Sequence, residues 1–232
     1  MIRSIPVITL IVTASCSTLA VADLYTDAAG DIFDTGLGNL DILGAEVTND
    51  DLNLYVTVEV DADVTAVNWG KYLLFLDTGD GGAVSGSAGN DPYNNPWNRR
   101  VTATEGIDAF LGSWIDGGGG GSLAYTWNGG GWNDDGNLGV EIAGSGSLGS
   151  VSWTISLDLL GLSVGDTFAF DIASTGGNDN DPGIDFLSTD VVQAGWGENS
   201  TSPMAASYTV VPAPGALGLL GLAGLAARRR RN

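Results

Sequence analysis

The chain has 232 residues, of which 8 are basic and 28 acidic, giving a formal charge of −20. Its single Cys is Cys16 and it has no His. Catalysis of the Ser-His-Asp or Cys-His type and zinc sites built from Cys and His are therefore excluded. The acidity also excludes binding to the phosphate backbone of nucleic acids.

Residues 1–22 have the composition of a secretory signal peptide. Arg3 precedes an apolar run from Val7 to Ala14, and Ala20 and Ala22 fit the small-residue rule for signal cleavage. Cleavage is predicted before Asp23, after passage through the Sec translocon. A second interpretation takes Cys16 as a lipoprotein cysteine, although Thr13 stands where a branched aliphatic residue is usual.

Residues 23–209 form the predicted domain, which is long enough to bury a sizeable core. Up to Val211 the body contains 3 basic residues, Lys71, Arg99 and Arg100, and all 28 acidic ones, for a formal charge of −25. Such acidity suits either solubility in salty surroundings or oxygen ligands for Ca²⁺.

Alternation of apolar and polar residues predicts strands along this domain. The clearest stretch runs from Leu52 to Val60, and a turn at residues 48–51 joins it to Leu40–Val47 as a hairpin. Lys71–Leu76 is apolar almost throughout, which is typical of a central strand. Further strands are predicted at Arg99–Thr104, Asp108–Ile115, Leu123–Trp127, Val140–Ala143, Val151–Leu157, Thr167–Ala173 and Ser207–Val211. The predicted fold is all-β, a single antiparallel β-sandwich.

Three stretches of the domain resemble β-sandwiches of the DOMON and family-9 carbohydrate-binding type. They are Asp41–Val56, Asn68–Asp77 and Gly106–Trp114. The resemblance implies a jelly-roll-like sandwich, an extracellular domain that binds a sugar or a cofactor. Haem needs His or Met ligands, and the body has no His and only Met204, so the sugar-binding version or an inert relative remains.

All seven tryptophans lie in the body. Three are expected in the core: Trp69, Trp114 and Trp153. Trp97, in an Asn-Pro-Trp-Asn loop, and Trp127 and Trp132, which flank a Gly-rich turn, are candidates for stacking on sugar rings. The alternative is that these three rings cap the end of the sandwich.

The loop Asn178–Asp185 is the densest group of oxygen ligands in the sequence. Asp179, Asp181 and Asp185 are the candidate calcium ligands, since Ca²⁺ takes six to eight oxygens. The spacing is not that of an EF-hand, and Asp, Asn, Gly and Pro also form turns without any metal.

Residues 210–232 contain an apolar run, Ala216–Ala227, followed by four arginines. The run is shorter than the roughly 20 residues that a stable membrane-spanning helix needs, and the basic end favours the cytoplasmic side. A short hydrophobic helix that enters the membrane transiently before processing is predicted. A plain C-terminal membrane anchor is the alternative.

The C-terminal segment resembles the PEP-CTERM sorting signal. The matching residues are Pro212, Ala213, Pro214, Gly215, Arg228, Arg229, Arg230 and Arg231. Ala213 stands where the family has Glu. The resemblance implies an exosortase-type membrane protease as partner, which removes the tail and releases or attaches the protein outside the cell.

Export and sorting predict a protein of the cell surface or extracellular matrix, anchored in the membrane by its tail until processing. The expected role is structural and non-catalytic. The alternative is a carbohydrate-binding module, with structural calcium and polysaccharide as partner. A glycosidase that uses two carboxylates is the third hypothesis, but no such pair stands out in the sequence.

Overall fold

The computed structural model describes residues 22–79, 81–85, 93, 95–115, 120–145, 148–193 and 195–213. Within them the regular structure is strands and two 3-10 segments, Gly38–Leu40 and Val64–Ala66, so the predicted all-β class is confirmed. The strands are β1 Asp23–Thr26, β2 Ile42–Asn49, β3 Asn53–Val60, β4 Lys71–Asp77, β5 Val101–Ala103, β6 Ala109–Trp114, β7 Gly121–Trp127, β8 Trp132–Asn137, β9 Val140–Ser145, β10 Leu148–Ser156, β11 Thr167–Thr175, β12 Gly183–Phe186, β13 Ser200–Ser202 and β14 Ala206–Thr209. None of these described segments is a helix with the length and apolarity to cross a bilayer. Most of the predicted signal peptide, and the tail from Pro214 onward, lie outside the described residues.

Five antiparallel strands form the smaller sheet, in the order β1-β2-β3-β10-β9. The predicted hairpin is its β2–β3 pair. In β3 and β10, apolar residues are buried at every second position, as the alternation predicts. Each strand therefore presents one apolar face to the interior.

The larger sheet has seven strands. Six follow the order β12-β11-β4-β6-β7-β8, and β14 pairs with the N-terminal half of β11, on the same edge as β12. β4 lies between β11 and β6, and six of its seven residues are buried. Its prediction as a central strand is confirmed.

One hydrophobic cluster contains side chains from both sheets. Val56 and Trp153 come from the smaller sheet, and Tyr72, Leu74 and Phe170 from the larger one. Trp153 is 1% exposed, as predicted. Its indole N–H donates to the Ser113 hydroxyl across the two sheets, so the largest ring of this core leaves no buried donor unpaired.

A second cluster covers the opposite, outer face of the larger sheet. Leu73 and Phe75 of β4 contribute to it, together with Phe110 of β6. The cover includes β5 and β13, a short pair of parallel strands. Ser202 of β13 donates a 2.6 Å hydrogen bond to the buried Asp171 carboxylate on β11, which fastens the cover to the sheet. The larger sheet is thus packed on both faces.

Four strands were not predicted from the sequence: β1, β8, β12 and β13. β8 includes Asp134 and Asp135, a residue type depleted in strands, but β8 is an exposed edge strand where polar residues face water. β12 begins at Gly183 within the predicted calcium loop and pairs with β11. These short strands contain polar residues of low strand propensity, so the sequence does not predict them. They form strands because tertiary context outweighs strand propensity.

Asn49 joins the end of β2 to the C-terminal segment of the domain. Its amide donates to the carbonyl oxygens of Asp50 and Val211, both at 2.8 Å, and its Oδ1 accepts from the Tyr208 hydroxyl and the Val211 N–H. The side chain is fully buried. It therefore acts as a substitute strand partner for Val211, directly before Pro212.

We predict that Asn49→Ala lowers the free energy of unfolding by about 3 kcal/mol, because the buried Tyr208 hydroxyl and the partly buried Val211 backbone lose their hydrogen-bond partner. Urea unfolding followed by far-UV circular dichroism measures the change. Asn137→Ala, at an exposed position of β8, serves as the matched control and should cost less than about 0.5 kcal/mol. Equal midpoints for the two variants would contradict this role of Asn49.

Candidate functional site

Trp97 and Trp114 lie side by side on the outer face of the larger sheet. Their ring centroids are 6.0 Å apart. A side chain at Gly112 would stand 2.4 Å from the Trp97 ring, and one at Gly121 would stand 2.3 Å from the Trp114 ring. The absence of a Cβ at these two strand positions lets both indoles rest directly against the sheet.

The two indoles line a groove of about 630 Å³, here called the Trp97 groove. Its lining residues are Lys71, Pro96, Trp97, Asn98, Arg99, Trp114, Leu123 and Asp179. The Arg99 guanidinium lies 5.9 Å from the centre of the Trp97 ring, within the range of a cation–π contact. The groove thus combines aromatic surface with amide, cationic and carboxylate groups.

A second groove of about 500 Å³ adjoins the first and shares Lys71 with it. It is named the Trp196 groove and is lined by Trp69, Lys71, Gly176, Gly177, Asn178, Asp181 and Trp196. Trp196 is 45% exposed and makes edge contacts with Phe33 at 5.5 Å and with Trp69 at 6.3 Å. These contacts hold an exposed indole in a defined orientation.

The loop 178–181 contributes lining residues to both grooves and is hydrogen-bonded to the segment that carries Trp97. Asn180 donates to the Asn98 carbonyl at 3.1 Å, and Arg100 donates to the Asp181 carbonyl at 3.0 Å. Arg99 donates through its guanidinium to the Asn178 carbonyl. Asn98 and Asn180 both have positive φ, a conformation that Asn tolerates better than most residues. Backbone hydrogen bonds and the buried Arg99 side chain therefore hold this loop against the segment that carries Trp97.

The structure distributes the predicted tryptophans differently from the sequence analysis. Trp97 lines a groove, but Trp127 and Trp132 are not among the lining residues of either groove. They pack against each other at 5.4 Å as opposing residues of the β7–β8 hairpin, and Trp132 also contacts the outer cluster. Trp69 and Trp114, expected in the core, are only partly buried and line the grooves, so that expectation was wrong.

The three predicted calcium ligands do not come together. Asp181 accepts the Asn178 N–H at 2.8 Å within its own turn, and Asp179 lines the Trp97 groove. Asp185 lies on β12, where it is buried and accepts the Ile42 N–H at 2.6 Å. The physical reason is that the predicted loop becomes a strand at Gly183, which carries Asp185 to a different place.

Asp185 belongs instead to an acidic cluster at the junction of β1, β2 and β12. Its members are Asp27, Asp31, Asp41, Asp185 and Asp190, which form two triads that share Asp31. Within each triad one carboxylate oxygen of every residue lies within 4.8 Å of the others. Sequence reasoning missed four of these residues, because only tertiary structure brings Asp185 to the start of β2, 143 residues away from Ile42.

Burial and mutual repulsion raise the pKa values in the acidic cluster. Desolvation, followed by the charges of Asp185 and Asp31, raises the pKa of Asp27 to about 8. Desolvation, with the Asp31 charge, raises the pKa of Asp185 to about 7, although hydrogen bonds oppose the shift. For Asp31 and Asp41 burial also raises the pKa. The charged neighbours that shift these four pKa values are all carboxylates.

Comparison with protein-family models and with curated proteins finds no match for this chain. The chemistry of the described residues therefore indicates what the site can do. The grooves offer flat apolar rings beside hydrogen-bonding groups, which suits a polar ligand with apolar faces. The acidic cluster offers only hard oxygen ligands, which suits a divalent cation.

We predict that the ion-free protein loses stability as the pH rises from about 4.5 to about 8. Above the usual Asp pKa near 4 the unfolded chain has released its protons, whereas folded Asp27 holds its proton up to about pH 8. The unfolded state then binds fewer protons, so the free energy of unfolding falls with pH. Thermal unfolding with a chelator present measures this fall. Asp27→Asn should show a shallower fall, and Asp134→Asn, on exposed β8, should match the wild type; parallel profiles for all three would refute the assignment.

Proposed function

We propose that this protein is a non-catalytic protein of the cell surface or extracellular matrix whose domain binds a glycan in the Trp97 groove. The single observation that carries the proposal is the pair of indoles resting on Gly112 and Gly121 and lining an open groove. Flat rings of this kind stack on the apolar faces of sugar rings. The neighbouring amides and charged groups then bond the hydroxyls that project at the edges.

The surroundings of the two indoles support a pre-formed binding site. The missing side chain at Gly112 lets Trp97 lie against the sheet, and the loop 178–181 is hydrogen-bonded to the backbone on either side of Arg99. A side chain that is already ordered loses little conformational entropy when a ligand binds. This arrangement therefore favours ligand binding over simple capping of the sheet by loop aromatics.

The lining of the grooves supports a role without catalysis. Glycoside hydrolysis needs two carboxyl groups on either side of the bond, about 5 to 10 Å apart. Among the described lining residues, the Trp97 groove has Asp179 as its carboxylate and the Trp196 groove has Asp181. The Asp181 carboxylate accepts the Asn178 N–H within its own turn. Its negative charge also interacts with the Arg99 guanidinium, so both contacts suit a structural role.

The proposed architecture is a single β-sandwich of jelly-roll-like form, since side chains of both sheets share one core cluster. The proposed route is export through the Sec translocon with cleavage before Asp23, followed by exosortase-type processing of the tail. In the sorting segment, Pro212 is exposed and Ala213 is buried, and the remainder lies outside the described residues. The Asn49 contacts with Val211 would present that segment from a defined point of the domain.

A glycan array probed with the full chain, with calcium in the buffer, tests the binding proposal. We expect reproducible binding to at least one polysaccharide, with affinity reduced tenfold or more by Trp97→Ala or Trp114→Ala, a loss of at least about 1.4 kcal/mol. Trp127→Ala is the matched control, because it removes a partly buried indole that lines neither groove. Binding should remain unchanged in that variant.

A backbone substitution provides a second test that leaves every tryptophan in place. Gly112→Ala should displace Trp97 and weaken glycan binding, whereas Gly139→Ala, with open space around its Cβ, should not. A folded wild-type protein that binds no glycan on the array would contradict the proposal. Retention of binding by both Trp97→Ala and Trp114→Ala would contradict the assigned site.

The export route is tested by the mass of the protein recovered outside cells that contain an exosortase. We expect an N-terminus at Asp23 and loss of the segment after the Pro212–Gly215 motif. Replacement of the four tail arginines by Ala should leave the signal cleavage intact and block tail removal, because the basic end no longer holds the segment on the cytoplasmic side. Recovery of the intact tail from the wild-type protein would refute this route.

A further inference from the structure

The acidic cluster brings together carboxylates from separate parts of the chain. Asp27 follows β1, Asp31 lies in the next loop and Asp41 precedes β2, while Asp185 lies on β12 and Asp190 follows it. Asp41 and Asp185 are only 3% and 2% exposed, and Asp31 stands in both triads. Within each triad the carboxylates repel one another strongly when ionised.

A second observation concerns hydrogen bonds at Asp31 and Asp27. Both carboxylate oxygens of Asp31 are buried and have no hydrogen-bond partner. Oδ2 of Asp27 is also buried and has no hydrogen-bond partner. A buried oxygen without a partner carries the full cost of its lost hydration, and an ionised one carries more. These three atoms lie within the cluster, where a bound cation would be their natural partner.

We propose that the acidic cluster is a calcium-binding site centred on Asp31, with Asp41 and Asp185 as its buried ligands and Asp27 and Asp190 on the outer side. Calcium suits the site because it accepts several carboxylates in irregular geometry at 2.3–2.6 Å, so that ligand oxygens on opposite sides of the ion stand up to about 5 Å apart. Within each triad one carboxylate oxygen of every residue lies within that distance of the others. Zinc prefers nitrogen and sulfur ligands, and magnesium requires a more regular octahedron.

The ion would fasten the N-terminal part of the domain to the larger sheet. Asp185 already accepts the Ile42 N–H, and Ser174 of β11 donates to the Leu40 carbonyl at 2.5 Å. Calcium would add ligands from the loop between β1 and β2 to these two contacts. It would thereby hold Asp27 and Asp31, whose repulsion by Asp41, Asp185 and Asp190 otherwise opposes closure of that loop.

The test uses the full chain, freed of metal with a chelator and titrated with CaCl₂ by calorimetry at about pH 7.5, with MgCl₂ in a parallel titration. We expect at least one calcium ion per chain and weaker binding of magnesium. Calcium at about a hundred times its dissociation constant should raise the thermal midpoint by roughly 5 to 10 °C. Asp31→Asn should weaken calcium binding at least tenfold.

Two variants separate a metal site from a carboxylate cluster with a purely structural role. Without calcium, Asp31→Asn should be as stable as the wild type or more stable, because one repelling charge is removed; with calcium it should lose the rise in midpoint. Asp179→Asn, in the predicted loop, is the matched control and should keep wild-type calcium affinity. The proposal is overturned if the folded wild-type chain binds no calcium, or if Asp31→Asn binds it as tightly as the wild type does. Glycan binding is measured separately and can fail without affecting this result.

Discussion

Burial of β4 on both faces is the constraint on which the rest of the structure depends. Its alternate residues enter two different hydrophobic clusters, with Tyr72 and Leu74 in one and Leu73 and Phe75 in the other. An apolar strand of this kind is stable only when both faces of its sheet are covered. The smaller sheet covers one face, and the segments around β5 and β13 cover the other.

The candidate glycan site follows from that second cover. The chain that returns over the outer face carries Trp97 onto Gly112, and the loop 178–181 is hydrogen-bonded to the same segment. Apolar surface needed for packing and aromatic surface available for a ligand therefore lie next to each other. The acidic cluster differs from this site, because its buried carboxylates oppose folding unless they are protonated or bound to a cation.

Sequence reasoning succeeded where a single strand contains its own signal. The alternation in β3 and β10 and the apolar run of β4 predicted their positions and their burial. It failed for β12 and β13, whose polar residues are buried only because neighbouring segments supply hydrogen bonds, such as that between Ser202 and Asp171. Local pattern cannot reveal such partners.

For the candidate sites too, the sequence predicted the features that depend on local composition but not those that depend on distant segments. The loop composition around Trp97 indicated an aromatic platform, but the places of Trp114 and Trp196 depend on Gly121 and Phe33, which no local pattern connects to them. The density of Asp residues in residues 178–185 suggested a metal site, yet Asp185 meets Asp31 and Asp41 through the pairing of distant segments. Residue type was therefore informative, and the grouping of residues required the fold.

The most direct test of the glycan site is an NMR titration of the seven tryptophan indole N–H signals with a polysaccharide that binds the protein, each signal assigned by substitution. We predict that the signals of Trp97 and Trp114 shift with the ligand, while those of Trp127 and of buried Trp153 stay in place. Shifts confined to Trp127 and Trp132, with Trp97 and Trp114 unchanged, would contradict the assigned groove and move the platform to the β7–β8 hairpin.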